Sequence, residues 1–235
     1  EINLLRSDKP SSINQELKAY YTLNEDNIFS FEAQHLSQTE DPFYRAMRDI
    51  QPFRDIIPLN TSQSKFNINQ NRIVETEKTE AKLDYYYILT PKSNLNFTFG
   101  FTDVKQNFNS NIFQILDNNS ELSFNEDVLN NNVDFNFSDA YLSFNYRFIT
   151  GIFTMEPGFT INSYKTENIQ LGRMVSNSYS DIRPDMRVFI KFKDSESLRF
   201  TYRASNQFTD VNNLAEGYVF NNYNSFFQGN PTLEA

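Results

Sequence analysis

The sequence predicts an all-β fold, specifically an antiparallel segment of a transmembrane β-barrel. Three observations predict it: eight stretches carry an apolar residue at every second position, aromatic residues are abundant, and long polar segments separate pairs of these stretches. The 235 residues include 24 Phe, 13 Tyr and only 6 Gly, and aromatic residues favour strands. The mean hydropathy is -0.59, which suits a barrel because only every second residue of each strand meets lipid.

The eight stretches pair into four predicted hairpins. In the stretch from Leu95 to Phe101, LNFTFGF, the apolar side chains share one face of a strand and the polar ones share the other. The eight apolar stripes cover residues 17–23, 29–33, 83–89, 95–101, 140–148, 153–161, 186–192 and 198–204. Tight turns are predicted near 24–27, 91–94, 150–151 and 194–197. The stripe changes parity only across Thr150-Gly151, so we expect a two-residue turn there and odd-length turns elsewhere.

Three long polar segments, about 37–80, 105–138 and 165–182, lie between the hairpins and are predicted to be loops. Loops of this length are uncommon in compact soluble domains. Here they alternate with tight turns. That alternation is typical of outer-membrane barrels, which have short periplasmic turns and long extracellular loops.

A soluble β-sandwich is the alternative, because half-buried antiparallel strands alternate in the same way. Two features favour lipid under the apolar stripes. The alternation runs for about nine to eleven residues, the length of a tilted membrane strand rather than the soluble mode of about five or six. The opposite faces carry charged residues such as Asp84 and Arg187, as a water-filled lumen allows.

The composition argues against several other functions. A net charge of -9 is unfavourable for general nucleic-acid binding, which needs surplus Lys and Arg. The absence of Cys excludes disulfides and a cysteine nucleophile, and the single histidine, His35, has no visible set of co-ligands for a metal. No nucleophile elbow or phosphate-binding loop occurs. We therefore expect neither an enzyme, nor a cofactor, nor a metal site.

Four basic residues, Arg187, Lys191, Arg199 and Arg203, lie opposite the last two stripes and are predicted to face the lumen. A turn at 194–196 would set Arg187 opposite Arg203 and Lys191 opposite Arg199, where like charges repel. Something acidic should compensate them. The compensating partner could be a plug domain inside the lumen, or it could be neighbouring barrel carboxylates or water. The sequence leaves both alternatives open.

The segment 41–60 mixes aromatic residues, Arg and Pro. Asp41 and Pro42 are suited to begin a short helix there. Phe43, Tyr44 and Phe53 are candidates for contact with a ligand or partner. The alternative is a surface loop packed on itself.

The sequence from Tyr202 to Ala235 carries loop motifs of a known family. In that family an Asn-rich loop leads to G-N-P-x-L, and the fitting positions are Ser205, Leu214, Asn221, Asn222, Gly229, Asn230, Pro231 and Leu233. Thr209-Asp210 stands where the family commonly has Pro-Ser. The segment 52–89 is similar to a family loop and the strand after it. The chain thus resembles TonB-dependent receptors of Bacteroidetes-type outer membranes.

The resemblance implies a larger protein of which this chain is one part. Such receptors have a barrel of about 22 strands around a plug, so residues 1–235 are expected to be an internal piece of one outer-membrane barrel domain. The implied partners are outer-membrane lipid, the plug domain, the remaining strands, TonB and a surface lipoprotein. The implied function is energy-dependent uptake of a ligand bound at the outer loops. A structural or assembly scaffold of an outer-membrane complex, without transport, is the alternative.

Overall fold

The computed structural model describes residues 2–206, 209, 211–222 and 224–231, and the fold is almost entirely antiparallel β. The strands are β1 (Ile2–Ser7), β2 (Ser11–Asn24), β3 (Asn27–Glu40), β4 (Phe43–Arg48), β5 (Phe66–Thr90), β6 (Ser93–Ile115), β7 (Glu121–Ser123), β8 (Asn130–Thr150), β9 (Phe153–Gln170), β10 (Arg173–Lys193), β11 (Glu196–Arg203), β12 (Val219–Asn222) and β13 (Ser225–Phe227). Two short 3-10 helices cover Asp127–Leu129 and Val211–Leu214. None of the described helices is long and apolar enough to span a membrane.

Strands β1 to β11 form one sheet, and β12 and β13 form a separate hairpin. β3 and β4 pair with successive parts of β5, while β1 pairs with β4 and β2 with β3. The two breaks contain Pro10 and Pro42, and proline has no N–H to give to a ladder. Counting each broken strand once, and leaving out the short β7, the sheet has eight positions in sequence order. The predicted antiparallel barrel segment is confirmed, and over the described ranges the sheet is open.

All four predicted tight turns are present, but their details differ. Each joins its strands through two residues, and the turn predicted at Thr150-Gly151 consists of Gly151 and Ile152. Gly151 has a φ of 55°, which glycine adopts without steric cost. The expectation of odd-length turns was wrong. The other three hairpins keep the parity of their stripes through a β-bulge, whose extra residue is Leu23, Leu89 or Phe192.

The predicted long loops were also largely wrong, because most of their residues continue the strands. β5 and β6 stay paired from the turn at 91–92 up to Asn67 and Ile115, and β9 and β10 continue to a second two-residue turn at Leu171 and Gly172. The helix predicted at Asp41 is replaced by β4. Outward-facing polar residues hid these extensions from a search for apolar stripes.

The sheet has two regions, and the lower region is the part next to the four tight turns. One of its cross-strand rows joins Leu83, Phe99, Leu142, Ile161 and Ile182 on the outward face. Their exposed fractions are 43%, 59%, 49%, 41% and 68%. Successive rows of this kind form a continuous apolar band across the strands. Its upper limit is the row of Phe101 and Ala140.

The upper region is the rest of the sheet, above Phe101 and Ala140. Its outward positions are mostly polar, as in the row that joins Glu77, Lys105 and Asn136; Ile73, Ile169 and Met174 are exposed apolar exceptions. Its inward face carries most of the buried apolar residues, such as Phe108 and Val133, which are both 0% exposed, and these alternate with polar side chains such as Gln70 and Ser110. The polarity of the two faces is therefore reversed relative to the lower region.

The chain after β11 folds back across the inward face of the upper region, and we call residues 211–231 the return segment. It contributes Val211, Leu214, Ala215, Val219 and Phe220 to two apolar cores. The partners from the rest of the chain are Tyr44, Ala46, Ile57, Leu59, Ile68, Val74, Phe108, Ile112, Phe124, Leu129, Val133 and Phe135. The upper region therefore has a core of its own.

Buried amide side chains attach the return segment to the sheet. Gln170 donates to the carbonyl of Leu214 at 2.8 Å and accepts from the N–H of Glu216 at 3.1 Å. Gln70 accepts from the N–H of Phe220 at 3.0 Å. Each amide satisfies backbone groups that an irregular segment would otherwise bury without partners.

Candidate functional site

The inward face of the lower region forms an open concavity of about 570 Å³. It lies below the return segment and is lined by polar and charged side chains. They include Lys82, Asp84, Tyr141, Arg183, Arg187 and Arg203. Such a wall suits water and polar solutes rather than a protein core.

The β5 side of the concavity is organised around Asp84, which is 6% exposed. The Lys82 ammonium lies 3.6 Å from Asp84 and 3.3 Å from Glu32 on β3. The Thr98 hydroxyl on β6 donates to Asp84. A buried carboxylate needs such partners, because burial without them disfavours the charged form.

Gly100 occupies the middle of β6 because an aromatic ring covers its backbone. Tyr141 is its cross-strand partner on β8, and a Cβ at position 100 would lie 2.1 Å from Cζ of that ring. A side chain there would displace Tyr141 from the wall. Glycine in a strand often marks such a close approach.

A second polar network marks the boundary between the two regions. Asn162 is 1% exposed, and its Nδ2 donates to both carboxylate oxygens of Asp139 at 3.1 and 3.0 Å. Its Oδ1 accepts from Nε of Arg183 at 3.0 Å. The Arg183 guanidinium also lies 5.9 Å from the centroid of the Tyr164 ring. Asn162 thus holds an acid and a base on the same wall.

Two tyrosines lie directly above this network. The ring centroids of Tyr164 and Tyr179 are 5.0 Å apart. Burial raises the pKa of the Tyr164 phenol to about 12 and raises the pKa of Tyr179 above its ordinary value. Both phenols therefore stay neutral at physiological pH, between the charged lower wall and the apolar upper core.

The four basic residues predicted to face the lumen lie on the inward face. The Arg187 guanidinium is 3.1 Å from the Glu156 carboxylate on β9, so a neighbouring barrel carboxylate compensates this charge. Lys191 lies 2.7 Å from Asp194 in the turn. Arg199 lies 5.9 Å from the centroid of the Phe189 ring. Whether a plug contacts any of them stays a prediction.

The predicted pairing of like charges was wrong. Arg187 lies opposite Thr201 rather than Arg203, and Arg203 lies opposite Asp185. Lys191 and Arg199 likewise lie opposite other residues. The reason is the turn, in which two residues and the bulge at Phe192 shift the ladder by two positions.

Sequence reasoning missed several residues of this wall. Arg147 lies on the inward face of β8, opposite Asn94. Asp139, Asn162 and Arg183 were missed as well. Parity would have found Arg147, because it stands between two members of an apolar stripe and therefore points to the other face.

The predicted aromatic contact residues lie in the upper region. Tyr44 is 8% exposed, and its ring centroid is 5.2 Å from that of Phe220. The Phe53 ring centroid is 4.1 Å from that of Phe226. Phe43 is half-buried, next to Tyr44 on β4. The packing matches the alternative of a segment packed on itself, and a ligand contact by these three residues stays a prediction.

The G-N-P motif packs on the second 3-10 helix. The N–H of Gly229 donates to the carbonyl of Ala215 at 2.8 Å, and the N–H of Asn230 donates to that of Asn213 at 2.8 Å. A Cβ at position 229 would lie 2.4 Å from the Asn213 carbonyl oxygen. The motif residues Asp210 and Leu233 lie outside the described residues.

Comparison with known proteins finds similarity to solved structures only. No family model and no curated protein matches the chain. Among solved structures, the chain is similar to the ferric citrate transporter FecA in its unliganded form, with a TM-score of 0.41 and 15% sequence identity. The match covers 81% of this chain and 35% of that chain. The chain thus spans about a third of the transporter's length.

Proposed function

We propose that the chain is one sector of a TonB-dependent outer-membrane receptor, which binds a ligand at its extracellular end and admits it through the lumen with energy from TonB. The lower region is the membrane-spanning wall of the barrel. The upper region is its extracellular extension. No covalent chemistry is involved.

The observation that carries the proposal is the reversal of polarity along single strands. In β6, Phe99 is 59% exposed on the outward face, and the outward position becomes Lys105 above the band. From the turn to Phe101 is about nine residues, which span roughly 23 Å for strands tilted by about 40°. That matches the apolar band of about 25 Å on outer-membrane barrels.

The polar inward wall supports a lumen. A soluble sandwich would pack a second apolar layer on one face of the sheet. Here the inward face of the lower region carries ion pairs such as Arg187 with Glu156, and the outward face carries the apolar residues. Lipid outside and water inside satisfy both faces.

The link to TonB comes from the resemblance of the sequence around Gly229, Asn230 and Pro231 to receptors of that class. A second candidate is a scaffold barrel of the same family without transport. One feature favours it: the return segment closes the inward side of the upper region, with Val211 and Ala215 both 0% exposed. Ligand would then have to enter along another sector of the barrel.

The test is uptake by cells that carry the full-length protein, compared with cells that lack it and cells depleted of TonB. Cells would receive a mixture of radiolabelled nutrients, and the receptor proposal expects the same labelled nutrient to be lost in both deficient strains. If the protein reaches the outer membrane and neither deficient strain loses uptake of any labelled nutrient, the scaffold candidate is the correct one. Loss that depends on the protein but not on TonB would refute energy coupling.

A further inference from the structure

We propose that Arg187, Arg199 and Arg203 form an oxyanion site on the lumen wall, which takes carboxylate- or phosphate-bearing solutes. The site deepens the proposed function and rests on it, because it assumes that the ligand passes along this wall. It gives the ligand a chemical class, which is anionic.

The register of β10 and β11 places the three arginines at neighbouring positions on the inward face. Arg187 lies opposite Thr201, and Arg199 and Arg203 are each two residues from Thr201 on the same face of β11. They are therefore the diagonal neighbours of Arg187, at roughly 7–8 Å between backbones. Arg187 and Arg203 line the open concavity, and the Arg187 side chain is 47% exposed.

The cluster has more positive charge than its neighbours neutralise. Glu156 pairs with Arg187 at 3.1 Å. Arg199 rests on the Phe189 ring, which does not cancel its charge. Arg203 lies across the ladder from Asp185, but no ion pair joins the two in the described part of the chain.

Unneutralised charge of this sign stands out in a chain whose net charge is -9. The arginines lie diagonally rather than directly opposite one another, but like charges at this range still repel, so an anion between them would relieve the repulsion. A lumen wall of one sign also concentrates solutes of the opposite sign.

The choice of arginine indicates the kind of anion. A guanidinium presents a planar fork of N–H donors that matches two oxygens of a carboxylate or phosphate, whereas a lysine ammonium acts as a point charge. A solute with several oxyanion groups would therefore bind better than chloride.

The experiment measures binding of inorganic pyrophosphate to the full-length receptor in detergent by calorimetry at low salt. The test variant is Arg199→Gln with Arg203→Gln. The control is Lys18→Gln with Lys78→Gln, which removes the same charge from lysines that lie near Glu16 at 3.6 Å and Glu80 at 2.8 Å. We expect the arginine variant to weaken binding at least tenfold and the lysine variant to change it less than twofold.

Three results would overturn the site. One is equal weakening by both variants, which would mean general charge attraction only. Another is an unaltered protein that does not bind pyrophosphate. The third is an arginine variant with a lower melting temperature but unchanged binding, which would mean that a carboxylate of the plug or of the strand beside β11 occupies the cluster. Failure of the proposed function would give a different result. Uptake that does not depend on TonB would contradict the function, but pyrophosphate binding would still depend on the arginines.

Discussion

The lower and upper regions use the same strands with opposite faces buried. In β6, Phe97 and Phe99 point outward below the boundary, and Lys105 points outward above it. On the inward face, Thr98 lies below the boundary and Phe108 above it. The ladder between β5 and β6 runs through the boundary without a bulge, so the strand does not rotate. The residues change, and the backbone does not.

The difference teaches that the surroundings of the sheet change along its length. Apolar side chains are stable where they are removed from water. The outward face of the lower region should therefore contact an apolar phase. In the upper region the apolar surroundings are on the inward side and are made by the return segment. A soluble sheet would keep one buried face from end to end. The predictions below test each side of this comparison.

The largest effect is expected in the upper core. Val133 is 0% exposed and points inward, so Val133→Asp places a carboxylate among apolar side chains and should cost about 4 kcal/mol or more. Its neighbour Asn132 is exposed and points outward, so Asn132→Asp should cost less than about 0.5 kcal/mol. Denaturant unfolding of both variants checks this. Similar midpoints would show that the upper region has no inward core.

The next effect concerns the apolar band. Phe99→Arg places a charge in the middle of the band and should cost about 2 to 4 kcal/mol if the band faces lipid. Thr98→Arg should cost little, because the inward position offers the Asp84 carboxylate, which Thr98 already contacts. Refolding titrations into lipid vesicles measure both costs. Equal costs would contradict a barrel wall with lipid on one side and water on the other.

A smaller effect is expected where the return segment is attached. Gln170→Met leaves the Leu214 carbonyl and the Glu216 N–H without their amide partner, which should cost about 1 to 3 kcal/mol. The control is Gln34→Met, since Gln34 makes one exposed hydrogen bond of 2.9 Å to Asn14. Protease digestion of the return segment in the folded protein reports the loss. Equal protection in the two variants would show that the amide does not hold the segment.

The fold class and the eight strand positions followed from the sequence because the period of two is strong in the band. The extensions were missed because their outward residues, such as Lys105 and Glu77, are polar, and their inward apolar residues are spaced among Gln, Ser and Asn. Nothing in the sequence showed that these inward residues share a core with Leu214.

The candidate site was partly predictable for the same reason. Parity alone puts Arg187 and Arg203 on the inward face. Their cross-strand partners depend on the register of β10 with β11. The bulge at Phe192 changes that register without changing the parity of the apolar stripe, so the sequence pattern does not show it. Arg187 pairs with Glu156 across the ladder of β9 and β10, and the turn that sets its register, at Leu171 and Gly172, lies in a segment that the sequence predicted to be a loop.

The most direct test of the reversal uses single cysteines labelled with a nitroxide, and residues 1–235 contain no Cys that would compete for the label. The labelled positions would be Phe99, Thr98 and Asn107, in the full-length protein in vesicles. We expect the label at position 99 to collide with oxygen, which concentrates in lipid, and the label at position 107 to collide with a water-soluble nickel chelate. The label at position 98 should show neither the lipid signature nor burial in a dry core. If the labels at 99 and 107 report the same environment, the reversal does not reflect a membrane and the account is wrong.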